Sequence, residues 1–293
     1  MPAVTATPKT DRTVTLADGR SVAYSEWGDL DGRPVVLVHG APGSRLFCPD
    51  ESATDAAHVR LITIDRPGYG RSDPQPDRSL LDWVDDYAEL ARRLELPPSP
   101  MVGWSSGGPY ALACAAVIPD RVPKVGVAAS VGPWDEVPGA WHELPPAVRE
   151  LVELLPRDPA AAHEGFRKRC QWYADDQEGM FADVGPHPED PDGQLLVRPE
   201  TLEAMKALMR EGARQGSSGY VADVIAEFRP WGFSLSDIGT EVLVWWGESD
   251  RLVTRAHAEY LSKAIPRAKL LTYPGEGHLF LVNHWAEMLA ALR

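Results

Sequence analysis

Met101-Val102-Gly103-Trp104-Ser105-Ser106-Gly107-Gly108-Pro109 joins a short apolar run to a small-residue stretch that reads as a helix from Pro109 onward. Within it, Gly103 to Gly107 fit the pattern Gly-x-Ser-x-Gly. A serine hydroxyl is a weak nucleophile at neutral pH, so it must be exposed and held beside a base. A sharp strand-to-helix turn does both. The flanking glycines remove Cβ atoms that would collide, and the new helix aims unpaired N–H groups at the reaction centre. Only Ser105 fits the frame, because Ser106 would need glycine where Trp104 stands. The bare pattern is a moderate signal, since serine is also favoured as a helix N-cap. Its weight depends on whether the rest of the chain supplies a base, an orienting acid and oxyanion donors.

Outward from this turn the chain alternates. Val35-Val36-Leu37-Val38 is a continuous apolar run of the kind that forms a strand buried on both faces. Similar runs recur at 60–64, 125–129, 241–246 and 268–273, with helix-like stretches at 80–96, 109–117, 255–264 and 279–292. Strands alternating with helices imply right-handed crossovers and an α/β fold, a mostly parallel twisted sheet flanked by helices. Runs at 13–16 and 20–27 meet at Asp18-Gly19, a hairpin signal that adds an antiparallel edge. Residues 1–13 are polar and read as a frayed tail. Between about Val131 and Asp237 the alternation stops, and the pattern is helical at 139–155, 160–176, 199–213 and 219–228. Residues 185–193, rich in Gly, Pro and Asp, read as a loop. The expected organisation is a core domain from 1–131 and 237–293, with a helical cap inserted at 132–236.

Composition excludes several classes. In 293 residues no apolar run approaches the length of a membrane helix, and the N-terminus lacks a secretory pattern, so a cytoplasmic protein is expected. A net charge of −14 argues against nucleic acid or an anionic membrane as partner. Cys48, Cys114 and Cys170 are odd in number and widely spaced, which suits neither a disulfide framework nor a metal cluster. No metal or other cofactor is implied. The oligomeric state is not legible.

In open α/β sheets, ligands bind beyond the carboxyl ends of the strands. Four groups fall there: Ser105, Asp250 in Gly247-Glu248-Ser249-Asp250, His278 in Gly275-Glu276-Gly277-His278, and the loop His39-Gly40-Ala41-Pro42-Gly43. With these motifs in this order, the chain resembles the α/β-hydrolase superfamily over almost its whole length. The Ser, Asp, His order is the one associated with that fold. The His-Gly-x-Pro loop and the turn Asp65-Arg66-Pro67-Gly68-Tyr69-Gly70-Arg71-Ser72 also match its patterns. The resemblance implies an acyl-enzyme on Ser105, with His278 as base and Asp250 as orienting acid. It implies oxyanion donors in the backbone N–H groups of Ala41 and Ser106. Glu248 and Asp135 compete as the acid, and His284 as the base. His257 reads as a surface-helix residue, and His39 as a brace for its loop. The turn at 65–72 lacks the Lys-Ser/Thr of a phosphate cradle.

The substrate signal is thinner. Trp134, Trp141, Phe166, Trp172, Tyr173, Phe181, Tyr220, Phe228, Trp231 and Phe233 of the cap suit an apolar acyl or aryl group on a small-molecule substrate, though most must also pack the cap. Trp104 and Tyr220 are the expected pocket walls, while Arg214 and Gln215 read as a solvated face. Haloalkane dehalogenases and epoxide hydrolases of this fold carry Asp at the turn, and Ser105 speaks against both. Proline iminopeptidases are more similar, but need cap carboxylates to bind a free amino terminus; Glu143, Glu150, Glu153, Glu203 and Glu211 are the candidates. The expectation is ester, lactone or thioester hydrolysis. An aminopeptidase or amidase, a lyase, a cofactor-free oxygenase, a perhydrolase or a ligand receptor on the same fold are the alternatives.

Overall fold

A computed structural model describes residues 7–175 and 189–293. Eight strands form one sheet: β1 (Thr10–Thr15), β2 (Ser21–Gly28), β3 (Arg33–Val38), β4 (Val59–Ile64), β5 (Met101–Trp104), β6 (Lys124–Ala128), β7 (Glu241–Gly247) and β8 (Ala268–Tyr273). Their spatial order is β1-β2-β4-β3-β5-β6-β7-β8. The β1–β2 and β2–β4 pairs are antiparallel and the rest parallel. The sheet is therefore mostly parallel with an antiparallel edge, as the pattern predicts.

Side-chain alternation splits the core between two faces. Val36 and Val38 pack with α2 (Leu80–Arg93), α3 (Gly108–Val117) and α10 (Arg255–Ala264). Val35 and Leu37 pack with α11 (Leu281–Ala291) on the other face, which α1 (Glu51–Ala56) also covers. Strands covered on both sides must be apolar throughout, which is why β3 reads as an unbroken run. Helix α2 starts where the sequence sets its cap: Ser79 accepts from the Asp82 N–H, and the Asp82 side chain answers to the Ser79 N–H.

Between β6 and β7 the chain forms α4 (Ala140–Glu143), α5 (Pro146–Leu154), α6 (Pro159–Asp175), α7 (Pro191–Leu196), α8 (Pro199–Gly212) and α9 (Ser218–Phe228). Phe166, Cys170, Val221 and Ile225 give α6 and α9 a small apolar cluster of their own. Among the described residues, no helix is long and apolar enough to cross a membrane.

Three local expectations are corrected. Residues 10–13 are not tail but strand, because β1 pairs with β2 from Thr10↔Glu26 onward. The helix expected over 139–155 breaks at Leu144 and Pro145, which each precede a proline and are held extended, at ψ 137° and 141°. The loop expected over 185–193 ends early, since Pro191 opens α7 at a position where its missing N–H costs nothing. Residues 185–188 lie outside the described residues.

Candidate active site

The turn after β5 has the geometry its glycines promise. Ser105 has φ +53°, a left-handed conformation that costs a non-glycine residue about 1–3 kcal/mol. A Cβ on Gly103 would lie 2.5 Å from the Gly107 carbonyl oxygen, and one on Gly107 would lie 2.3 Å from that of Val38. Both positions therefore exclude side chains. The register Val38↔Gly103 sets the ends of β3 and β5 side by side, so the loop at 39–43 emerges next to Ser105. This is also where the strand order reverses, the usual place for a ligand crevice.

The neighbouring strands β7 and β8 deliver the other two groups. Their pairing runs to Gly247↔Tyr273, and the turns beyond bring Asp250 and His278 together. His278 Nδ1 lies 2.9 Å from Asp250 Oδ2. The other Asp250 oxygen accepts the N–H groups of Leu252 at 2.8 Å and Val253 at 3.0 Å. A carboxylate held this way keeps the proton on Nδ1 and leaves Nε2 able to accept. Burial disfavours the imidazolium, but the charge and hydrogen bond of Asp250, with Asp192 behind, outweigh it and raise the His278 pKa above 6.5. Trp104 donates to the His278 carbonyl at 3.4 Å and stacks on Phe47.

A second carboxylate shapes this corner. Asp192, in the first turn of α7, accepts the N–H groups of His278 and Leu279, each at 2.7 Å. A Cβ on Gly277 would lie 2.4 Å from it, so the glycine admits the carboxylate. Asp192 was hidden inside a stretch that reads as loop.

The loop at 39–43 is gripped from below and above. Arg66 donates through Nη1 to the His39 carbonyl and through Nη2 to that of Gly40 at 3.3 Å. The same guanidinium pairs with Asp223 of α9, at 2.5 Å from Nη2. Asp223 is fully buried and also takes Arg78, Tyr69 and Tyr110, the two phenols at 2.7 Å. Burial opposes its charge, but Arg66 and Arg78 hold its pKa down to about 2. Composition and motif reading missed this cluster. A signal was present: Asp223 and Glu227 stand four apart in the otherwise apolar Val221-Ala222-Asp223-Val224-Ile225-Ala226-Glu227-Phe228.

Ser105, His278, Ala41, Ser106, Trp104 and Tyr220 all border one cavity of about 390 Å³. Its wall is largely apolar, with Leu144, Met205, Met209, Val224 and Leu279 among its parts. Of the expected cap aromatics, Trp134, Phe166, Tyr220 and Phe228 border it. Trp231 and Phe233 instead pack against the main core, and Trp141 is not part of the wall. Phe181, and the side chains of Trp172 and Tyr173, lie outside the described residues. Among the described residues, the carboxyl groups on the wall are Asp192 and Glu227; none of the five glutamates singled out from the sequence borders it. Glu211 is occupied by Arg45 at 2.6 Å, and Glu143 by the Thr254 hydroxyl at 3.0 Å.

The competing groups lie elsewhere. Glu248 and Asp135 are exposed. His284 sits on α11, with Nε2 3.0 Å from Glu276. His39 is buried, and burial with the nearby Arg66 charge keeps it neutral, well below 6.5. His257 is not a surface residue: it is 1% exposed, and its Nδ1 accepts the Gly132 N–H at 2.9 Å. Gln215 is exposed, as expected, and from the surface donates to the carbonyls of Gly70 and Ser72 at 2.9 and 2.8 Å, clamping the turn after β4. Arg214 donates to Glu211.

The chain belongs to the α/β hydrolase fold family, whose sequence profile matches residues 33–284. It is 30% identical over 284 residues to a non-heme chloroperoxidase of Streptomyces lividans, spanning 93% of this chain and 94% of that protein. A bifunctional esterase/perhydrolase of Acinetobacter calcoaceticus is 27% identical over 277 residues, spanning 90% and 92%. In structure, an esterase from Exiguobacterium antarcticum matches with a TM-score of 0.66 at 21% identity, over 97% of this chain and 98% of its own. That last likeness concerns the fold. The curated relatives support an α/β-hydrolase enzyme.

Proposed function

We propose that the protein is a serine hydrolase that opens a small carboxylic ester, lactone or thioester through an acyl-enzyme on Ser105. His278 Nε2 takes the Ser105 proton during attack on the carbonyl carbon, then gives it to the leaving group. Asp250 orients the ring and stabilises the imidazolium. The backbone N–H groups of Ala41 and Ser106 serve the tetrahedral oxyanion, and a hydrolytic water completes the cycle by the same route in reverse. Residues 132–236 act as the cap, with Trp104 and Tyr220 as walls for an apolar acyl or aryl part. The proposed setting is the cytoplasm, where three buried thiols stay reduced.

The observation that carries this reading is the oriented His278–Asp250 pair on the same cavity as a strained serine at a strand-to-helix turn. The test is pre-steady-state cleavage of activated aryl esters together with labelling by a serine-directed phosphonate. A burst of phenol and one label per chain, both lost in Ser105→Ala, are expected. Folded protein that takes no label overturns the reading. Acyl transfer to hydrogen peroxide is the second reading, favoured by the esterase/perhydrolase relative. In it, peroxide replaces water on the acyl-enzyme and the product is a peroxy acid. Peroxy acid formation from an ester and peroxide, measured against plain hydrolysis, separates the two.

A further inference from the structure

The peptide joining Gly40 to Ala41 is gripped by its carbonyl. Gly40 and Ala41 border the cavity with Ser105, and the loop passes so close that a Cβ on Gly40 would lie 3.2 Å from that of Ser105. Glycine permits the approach but leaves the backbone there free to rotate. Side chains restore the restraint. The Gly40 carbonyl lies 2.6 Å from His39 Nδ1 and 3.3 Å from Arg66 Nη2. A carbonyl oxygen only accepts, so Nδ1 carries the proton, and Nε2 accepts the Arg66 backbone N–H at 3.3 Å. Both roles together require a neutral ring, and burial keeps His39 neutral. Gly43 closes the same side, where a Cβ would lie 2.6 Å from the Gly40 oxygen.

Arg66 is itself pinned. It is fully buried, and one oxygen of Asp223 takes its Nε at 3.1 Å and its Nη2 at 2.5 Å. Nη1 is left for the His39 carbonyl. The Tyr110 and Tyr69 rings flank the group, with centroids 4.8 and 5.3 Å from its central carbon. A planar fork held at its edge and its face presents its remaining donors in fixed directions.

We propose that Arg66 and His39 are positioning residues for the oxyanion donor: by holding the Gly40 carbonyl they set the plane of the 40–41 peptide and aim the Ala41 N–H at the cavity, and Asp223 makes that aim depend on α9. The inference rests on the ester-hydrolase reading, in which Ala41 is a donor. In a planar trans peptide the C=O and N–H point in opposite directions, and the Gly40–Ala41 bond is trans. A carbonyl directed at two buried side chains therefore sends the N–H the other way. Such a donor stabilises developing charge because it is aimed before the charge forms. A rotated peptide would withdraw the N–H and bring a carbonyl toward the oxyanion. Helix α9 also gives Tyr220, Val224, Glu227 and Phe228 to the cavity wall, so one element both lines the substrate cavity and supports the donor.

The experiment compares Arg66→Lys, His39→Leu and His39→Asn with the native protein on an activated aryl ester, each normalised to its final phosphonate label. Lysine keeps a cation beside Asp223 but lacks a fork for two carbonyls. Losing an oxyanion donor outright costs on the order of 10²–10³-fold in turnover, so loosening one is expected to lower kcat about tenfold or more, with KM unchanged. His39→Leu leaves the Asp223 pairs intact and should show the same split, so it decides the matter if Arg66→Lys does not fold. His39→Asn, whose amide nitrogen can stand near the Nδ1 position, should recover most of the loss. An aryl boronic acid, whose tetrahedral adduct with Ser105 offers an oxygen to the same donors, is expected to bind the two slow variants about tenfold more weakly. Ester binding to the same variants carrying Ser105→Ala should stay unchanged, a contrast that a merely structural role would not produce. The inference alone is overturned if fully labelled variants keep native kcat and boronate affinity, or if ester binding weakens as much as boronate binding. Native protein that takes no label overturns the hydrolase reading and this inference with it.

Discussion

The carboxyl ends of β3, β5, β7 and β8 and the helices between β6 and β7 line the same cavity, but they are held in place by different means. At the strand ends, register and missing Cβ atoms do the positioning: Val38↔Gly103 aligns two loops, and Gly103 and Gly107 leave no room for anything larger than hydrogen. The helices are held by buried charge. Asp223 takes Arg66, Arg78 and Tyr69 from loops and Tyr110 from α3, Glu211 takes Arg45, and Asp192 caps the N–H groups of His278 and Leu279. Backbone register aligns main chains whatever their side chains, whereas the pairs of α9 depend on particular side chains more than 100 positions apart. In the proposed reaction the strand ends carry the bond-making chemistry and the helices carry choice of substrate, while Asp223 ties α9 to the Arg66 that grips the loop at 39–43.

Substitutions can break that division. Ser105→Ala is expected to lower kcat on an activated ester by on the order of 10⁶-fold with the fold intact. Asp250→Asn follows at about 10⁴-fold, because the ring loses its oriented tautomer and the ion pair behind it. Steady-state kinetics with circular dichroism on each variant checks both. If Asp135→Asn proved the more damaging change, the acid would be misassigned and the strand-end account would fail at β7.

Asp223→Ala tests the other side. Removing it leaves the Arg66 and Arg78 charges buried without a counter-ion, and a broken buried pair costs about 3–5 kcal/mol. Denaturant unfolding should show that loss at neutral pH. The folded-state pKa of Asp223 lies near 2, below its ordinary 3.8. Its ionised form therefore adds stability above pH 3.8, and that contribution is lost as pH falls toward 2. The gap between native protein and variant should narrow over that window. A variant as stable as the native protein would mean that buried charge does not hold α9 to the core.

The smallest effect sharpens the His278 assignment. Only neutral imidazole can accept the serine proton, and Asp250 raises the pKa of His278 above 6.5. The acid limb of kcat/KM should therefore have its midpoint above 6.5. In Asp250→Asn, whose residual activity is measurable, the midpoint should move lower. An acid limb indifferent to that substitution would uncouple the two side chains.

Legibility in the sequence follows the same divide. The β3 run, the turn at 103–107 and the order Ser105, Asp250, His278 are local patterns, and the structure sets each after its strand. The groups that escaped notice depend on distant partners. Asp192 looked like one acid in a Pro- and Gly-rich loop, and only the Gly277 turn coming to meet it makes it a cap for His278. His257 looked solvated because its helix is amphipathic, but the Gly132 N–H reaches it from a loop 125 residues away. Glu227 carried a faint signal, an acid four residues after Asp223 on an apolar helix, but nothing in the sequence tells which acid would take the two arginines.

By itself, then, the sequence determined the layered α/β architecture and the serine at its turn. Hydrophobic period and the steric demands of glycine act over a few residues, and a linear reading contains them. Tertiary structure decided what surrounds that serine: which carboxyls are neutralised, which histidine is buried, and which side chains border the cavity. Those properties come from desolvation and from charges brought together across the chain, and neither exists until the helices between β6 and β7 close over the sheet.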